Sequence, residues 1–143
     1  MRWHEEYLGK PWRHNPEPPH SFNCGELLRH IYKRFFGYEA PILLADTRDL
    51  RSCIRDAGKM HRYYANLVPV EMPQDFDLAL LSRGGPADHV GLYCGGDILH
   101  CRPNVGVFLD DAFSLQTMGW RKITYLRPEG LKMKSPGEPG RGG

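Results

Sequence analysis

A cysteine stands where the segment from Ser21 to Phe36, SFNCGELLRHIYKRFF, changes from loop to helix. From Leu27 onward Leu27, Leu28, Ile31, Tyr32, Phe35 and Phe36 recur at helical spacing, and Arg29, His30, Lys33 and Arg34 take the opposite side. Asn23 is a good N-cap, and Glu26 three residues later can turn its carboxylate back to the cap, so Cys24 falls in the first turn. Free N–H groups and the positive end of the helix dipole stabilise a thiolate there, so Cys24 is expected to be a nucleophile at neutral pH. Taken singly, a cysteine is more often a small buried hydrophobe, and the rest of the chain has to shift that balance.

A thiol that attacks an amide needs an imidazole to move the proton and a polar group to hold that imidazole. His89 opens the run HVGLYC after the loop SRGGPAD, and His100 lies in DILHCRP beyond Gly95-Gly96, a hairpin turn signal. Counting outward from that turn pairs Cys94 with Asp97, then 93 with 98, 92 with 99 and 91 with 100. His100 is then expected beside Gly91, two residues from His89 and on the same face. The diagonal of about 7 to 8 Å lies within reach of two imidazoles. Either histidine alone reads as an ordinary strand residue, whereas the joint pattern with Cys24 reads as base and partner.

The elements that must position these residues are legible in outline. Residues 3–8 suggest a short helix, and GKPWRHNPEPPHSF is a loop whose prolines block regular structure. The Cys24 helix follows. A second helix is expected from about Asp46 to Gly58, behind a Thr47 cap and with Leu50, Ile54 and Ala57 at helical spacing, and HRYYANLVPVEMPQ reads as a connector. Strands are expected at 76–81, 89–94, 97–103, 105–111 and 122–128. Helices first and an antiparallel sheet of about five strands afterwards is the α+β pattern. Residues 1–128 are read as one domain and 129–143, rich in Gly and Pro, as a disordered tail.

Composition excludes several function classes. The chain of 143 residues is 41% hydrophobic and 25% charged, which suits a single soluble domain. A net charge of +2 gives no nucleic-acid footprint. No run of roughly 18 apolar residues suggests a membrane span. MRWHEEYLGKPW lacks the apolar core of a signal peptide, so synthesis in the cytoplasm without a signal peptide is expected.

The cysteines Cys24, Cys53, Cys94 and Cys101 contain no C-x-x-C spacing, which disfavours a structural zinc module. A set of His89, Cys94, His100 and Cys101 is a minority alternative. Adjacent residues on one strand point to opposite faces, so His100 and Cys101 do not easily share an ion. Cytoplasmic synthesis also disfavours disulfides. Cys53 reads as a core residue of the second helix. No metal or other cofactor is expected.

The stretches LGKPW, FNCGELLRHIY, QDFDLALL, DHVGLYCGG and ILHC together resemble the NlpC-type papain-like cysteine peptidases of bacterial cell-wall turnover and phage tails. The resemblance covers about residues 7 to 103. HVGLYCGGDILHC is its most specific part, and LGKPW with the Asn-Cys helix start looks most like the phage-tail branch. It implies a papain-like NlpC fold, with N-terminal helices on a central antiparallel sheet. Carried over residue by residue, Cys24 is the nucleophile, His89 the base and His100 the orienting third residue. Trp12 stands where many relatives have a tyrosine that helps the oxyanion, and Asn23 where the family usually has Asp. Glu26, read as the cap partner, also departs from the family's Ser or Gly.

What the resemblance implies is a thiol hydrolase cutting an amide bond in the stem peptide of peptidoglycan. Cys24 attacks the carbonyl, its backbone N–H and the Trp12 indole N–H hold the oxyanion, and His89 protonates the leaving amine. Partners would be the stem peptide and, in a phage-like tail or virion, tail-tip proteins, with Arg13, Arg29, Lys33, Arg34 and Arg83 available to an anionic wall polymer. An inactive tail-assembly module of the same fold is the first alternative, and an amidase or acyltransferase on another substrate the second.

Overall fold

The computed structural model describes residues 2–39, 67–85 and 87–128. The expected helix at 46–58 with Cys53 and the tail at 129–143 lie outside the described residues.

Helix α1 runs over Cys24–Phe36, starting at the residue after the expected cap. The Asn23 side chain accepts from Glu26 N at 2.8 Å, and Gly37 ends the helix in the left-handed region at φ 67, where glycine avoids the Cβ cost. The apolar stripe is buried as its spacing predicts: Leu27, Leu28 and Ile31 have no exposed surface, each burial contributing about 1.5–3 kcal/mol. Tyr32 adds a directional tie, its hydroxyl donating to Phe76 O at 2.7 Å. The short helix expected at 3–8 is a 3-10 turn over Glu5–Tyr7, closed by Gly9 at φ 83.

Among the described residues six strands form one antiparallel sheet: β1 Leu67–Val70, β2 Leu78–Ser82, β3 Ala87–Cys94, β4 Asp97–Arg102, β5 Gly106–Asp110 and β6 Lys122–Pro128, in the order β1-β6-β2-β3-β4-β5. The architecture is α+β, as expected, with one strand more. The added strand, β1, falls in the expected connector; it carries Pro69 and little buried surface, features that a sheet edge tolerates. The β3–β4 hairpin has the expected register, with Cys94 opposite Asp97, Tyr93 opposite Ile98 and Leu92 opposite Leu99.

The sheet is covered on both faces. α1 packs on Leu78, Val90, Leu92 and Leu99, while Ala79, Leu81 and Ile98 on the other face meet Leu115 and Trp120. Leu115 belongs to α2, Ala112–Thr117, a short helix absent from the sequence reading and capped by Asp111 accepting from Ser114 N at 2.7 Å. Bidentate bonds of 2.7 Å from Arg127 to the fully buried Asp77 tie β6 to the start of β2.

Candidate active site

The β3–β4 hairpin places the two histidines as the counting argument expects. His89 Nε2 lies 2.9 Å from His100 Nδ1, in a buried contact. Gly91 makes this possible: a Cβ there would lie 2.6 Å from Ile98 Cγ2, 2.8 Å from Leu99 O and 3.2 Å from His100 Cβ. With only hydrogen at that position, β4 can close on β3.

The chain of bonds continues beyond His100. Its Nε2 lies 2.7 Å from Asp110 Oδ2 at the end of β5. A carboxylate accepts, so His100 carries its proton on Nε2 and offers Nδ1 as acceptor. His89 then donates from Nε2, which leaves its Nδ1 lone pair free to act as a base. Asp110 thus sets both tautomers through two hydrogen bonds.

Trp120 walls His89. Its ring stacks on His89 at 4.8 Å between centroids and 13° between planes. Arg83 lies over the same indole at 4.2 Å, and Trp120 Nε1 donates to Asp88 Oδ1 at 2.8 Å. Asp88 is the extra residue of a bulge in β3, where the pairing jumps from Leu81 opposite His89 to Ser82 opposite Ala87.

A cleft of about 450 Å³ opens beside these residues, lined by Trp12, Cys24, Arg83, His89, Arg102 and Trp120 among others. Cys24 and His89 therefore share one cavity, and the Cys24 thiol meets the backbone of Val90, the residue after His89. Among the described residues no side-chain hydrogen bond joins the thiol to the imidazole. Cys24 is 2% exposed, and burial pushes its thiol up to about 12, Cys101 acting in the same direction. This corrects the expected thiolate: desolvation outweighs the field of the helix start and the backbone contacts that favour the anion. His89 is held well below 6.5, first by burial and then by the charges of His100, Arg102 and Arg83. Both shifts favour a neutral thiol beside a neutral imidazole.

The remaining expected site residues divide. Trp12 lines the cleft, and its Nε1 is a buried donor with no hydrogen-bond partner among the described residues. Asn23 is committed to capping α1. The cations expected on the outer face of α1 are internally paired: Arg29 with Glu26, Lys33 with Glu39, and Arg34 with Glu6. Glu26 is thereby partly neutralised. Among the described residues no three His, Cys, Asp or Glu side chains gather as a metal site.

Compared with solved structures, the chain is similar to the crystal structure of the NlpC/p60 domain of the peptidoglycan hydrolase SagA. The likeness has a TM-score of 0.56 at 18% identity and covers 90% of this chain and 92% of that one. This is the NlpC/p60 fold. No protein-family model and no curated protein matches the sequence. At such divergence the NlpC/p60 architecture persists because it depends on the α1 stripe and strand patterning, which many sequences satisfy.

Asp110, Trp120 and Arg102 were missed in the sequence reading. For Asp110 a signal existed. Counting outward through β4 and β5 pairs Arg102 with Gly106 and His100 with Phe108, and Asp110 stands two residues along on the same face. Trp120 follows a helix too short to read, and Arg102 looks like any strand-end cation.

Proposed function

We propose that the protein is an NlpC-type cysteine peptidase that cuts an amide bond in the stem peptide of peptidoglycan. The observation that carries the reading is the hydrogen-bonded series His89, His100, Asp110 at 2.9 and 2.7 Å, beside a cleft that also holds Cys24. The NlpC/p60 fold shared with a domain of a peptidoglycan hydrolase supports the substrate class.

In this reading His89 Nδ1 takes the Cys24 proton as the sulfur attacks the carbonyl carbon, and the amide π electrons move to oxygen. Trp12 Nε1 and the Cys24 backbone N–H donate to that oxyanion. His89 returns the proton to the leaving nitrogen, the C–N bond breaks, and a thioester remains. Water then attacks the thioester, giving its proton to His89, and the released thiolate is reprotonated. Because the resting pair is neutral, the base acts during attack rather than before it. The finer setting, assembly into a phage-like tail with tail-tip partners, rests on LGKPW and the Asn-Cys helix start.

The protonated Cys24, unbonded to His89, favours a second reading as a catalytically weak assembly module. A digest separates the two: peptidoglycan incubated with the wild type and with Cys24→Ser, products read by mass spectrometry. New fragments from the wild type alone, with masses that name the bond, are expected. No fragments from several wall types would move the assignment to the assembly module.

A further inference from the structure

The side chains that line the cleft are unequal in what they have left to give. Asp88 already accepts from Trp120 and Arg83, and Arg83 sits over the Trp120 ring. Among the described residues Trp12 Nε1 is a donor without an acceptor. Arg102 is half-buried at the cleft, and among the described residues its guanidinium has no hydrogen bond or ion pair. Two residues beyond His100 on β4, it shares the face of that imidazole, and its charge is felt by both His89 and His100. A half-buried guanidinium is a rigid fork of donors matched to a carboxylate, and leaving it without a counterion is costly. The free polar capacity of these side chains is therefore donating and cationic, next to the reacting groups.

We propose that Arg102 is the specificity residue of this cleft, binding a substrate carboxylate close to the scissile amide, so that the site takes acidic stem peptides in preference to amidated ones. The proposal rests on the hydrolase reading for the identity of the peptide, but the recognition itself is a binding property. A bound carboxylate would also offset the Arg102 charge beside His89 and ease formation of the imidazolium during attack.

Binding and turnover separate the two ideas. Two synthetic stem peptides are prepared, identical except that the γ-linked glutamyl residue carries a free α-carboxylate in one and a carboxamide in the other. Calorimetry at low salt on the Cys24→Ala protein is expected to show the acidic peptide binding about 10- to 100-fold more tightly, the range for losing one charge-assisted contact. Arg102→Gln should bring the two peptides to parity. Arg102→Lys should keep an intermediate preference, showing that the fork and not the fold is at stake. Equal binding of the twins, an unchanged preference in Arg102→Gln, or no binding of the acidic peptide overturns the proposal. Acidic peptide bound by Cys24→Ala but left uncut by the wild type would uphold Arg102 and overturn the hydrolase reading instead.

Discussion

Asp110 Oδ2 lies 2.7 Å from His100 Nε2 although the two residues are not opposite one another: His100 faces Phe108 across β4 and β5, and Asp110 stands two residues along. The diagonal lets a carboxylate at the sheet margin fix an imidazole that is 1% exposed. In the proposed mechanism this makes Asp110 a positioning residue that acts on His89 through His100.

Asp110→Asn can still fill the space but no longer dictates which His100 nitrogen carries the proton. Turnover of peptidoglycan should fall at least tenfold, and by less than the ~10⁴ seen when the residue directly orienting a catalytic histidine is lost. Nitrogen NMR of the imidazoles should show mixed tautomers at His100, a change that loss of packing alone would not produce. Wild-type rates with a single retained tautomer would remove Asp110 from the mechanism.

Cys24 should be a slow target for alkylation. With its thiol pushed up to about 12 by burial, iodoacetamide at pH 7 should label it more slowly than an unfolded cysteine, and the rate should still be climbing above pH 9. Mass spectrometry of peptides after timed labelling reads this directly. A rate that levels off below pH 7 would mean a preformed thiolate and imidazolium pair.

How much of this was legible in the sequence follows from which contacts are local. The helix start at Asn23 and Cys24 and the hairpin at Gly95-Gly96 are fixed by neighbours in the chain, so spacing alone placed Cys24 at the helix start and His89 beside His100. The Cys24 proton was misjudged because desolvation depends on what packs over the helix start, including Cys101 and the backbone of Val90 from distant parts of the chain. β1 was read as a connector because an edge strand with Pro69 buries too little to alternate. Trp120 became part of the site only through its stacking on His89, which no local pattern encodes.

Gly91→Ala tests whether the close approach of β3 and β4 sets the site. The added methyl would meet Ile98 Cγ2 at 2.6 Å and Leu99 O at 2.8 Å, contacts that force the strands apart. A stability loss of about 1–3 kcal/mol is expected from overpacking. Because His100 Cβ is the third neighbour at 3.2 Å, activity should fall by more than the unfolded fraction explains. Thermal denaturation beside turnover at a temperature where both proteins are folded decides it; unchanged stability would show that β4 yields without cost.

Stability should have a plateau between about pH 6.5 and 9, and the signs can be worked out on both sides. His4, His30, His89 and His100 are all held below 6.5, each by burial first. As the pH drops below 6.5 the unfolded chain takes up protons that the native state refuses, so the native state loses stability. Cys24, Cys94 and Cys101 are pushed by burial from 9.0 to about 12. Above pH 9 the unfolded chain releases protons that the native state retains, and stability falls again. Denaturant midpoints measured from pH 5 to 10 should trace this dome, and His89→Gln should flatten its acid side while leaving the alkaline side in place. An acid limb unchanged in that variant would show that His89 is not refusing its proton in the folded chain.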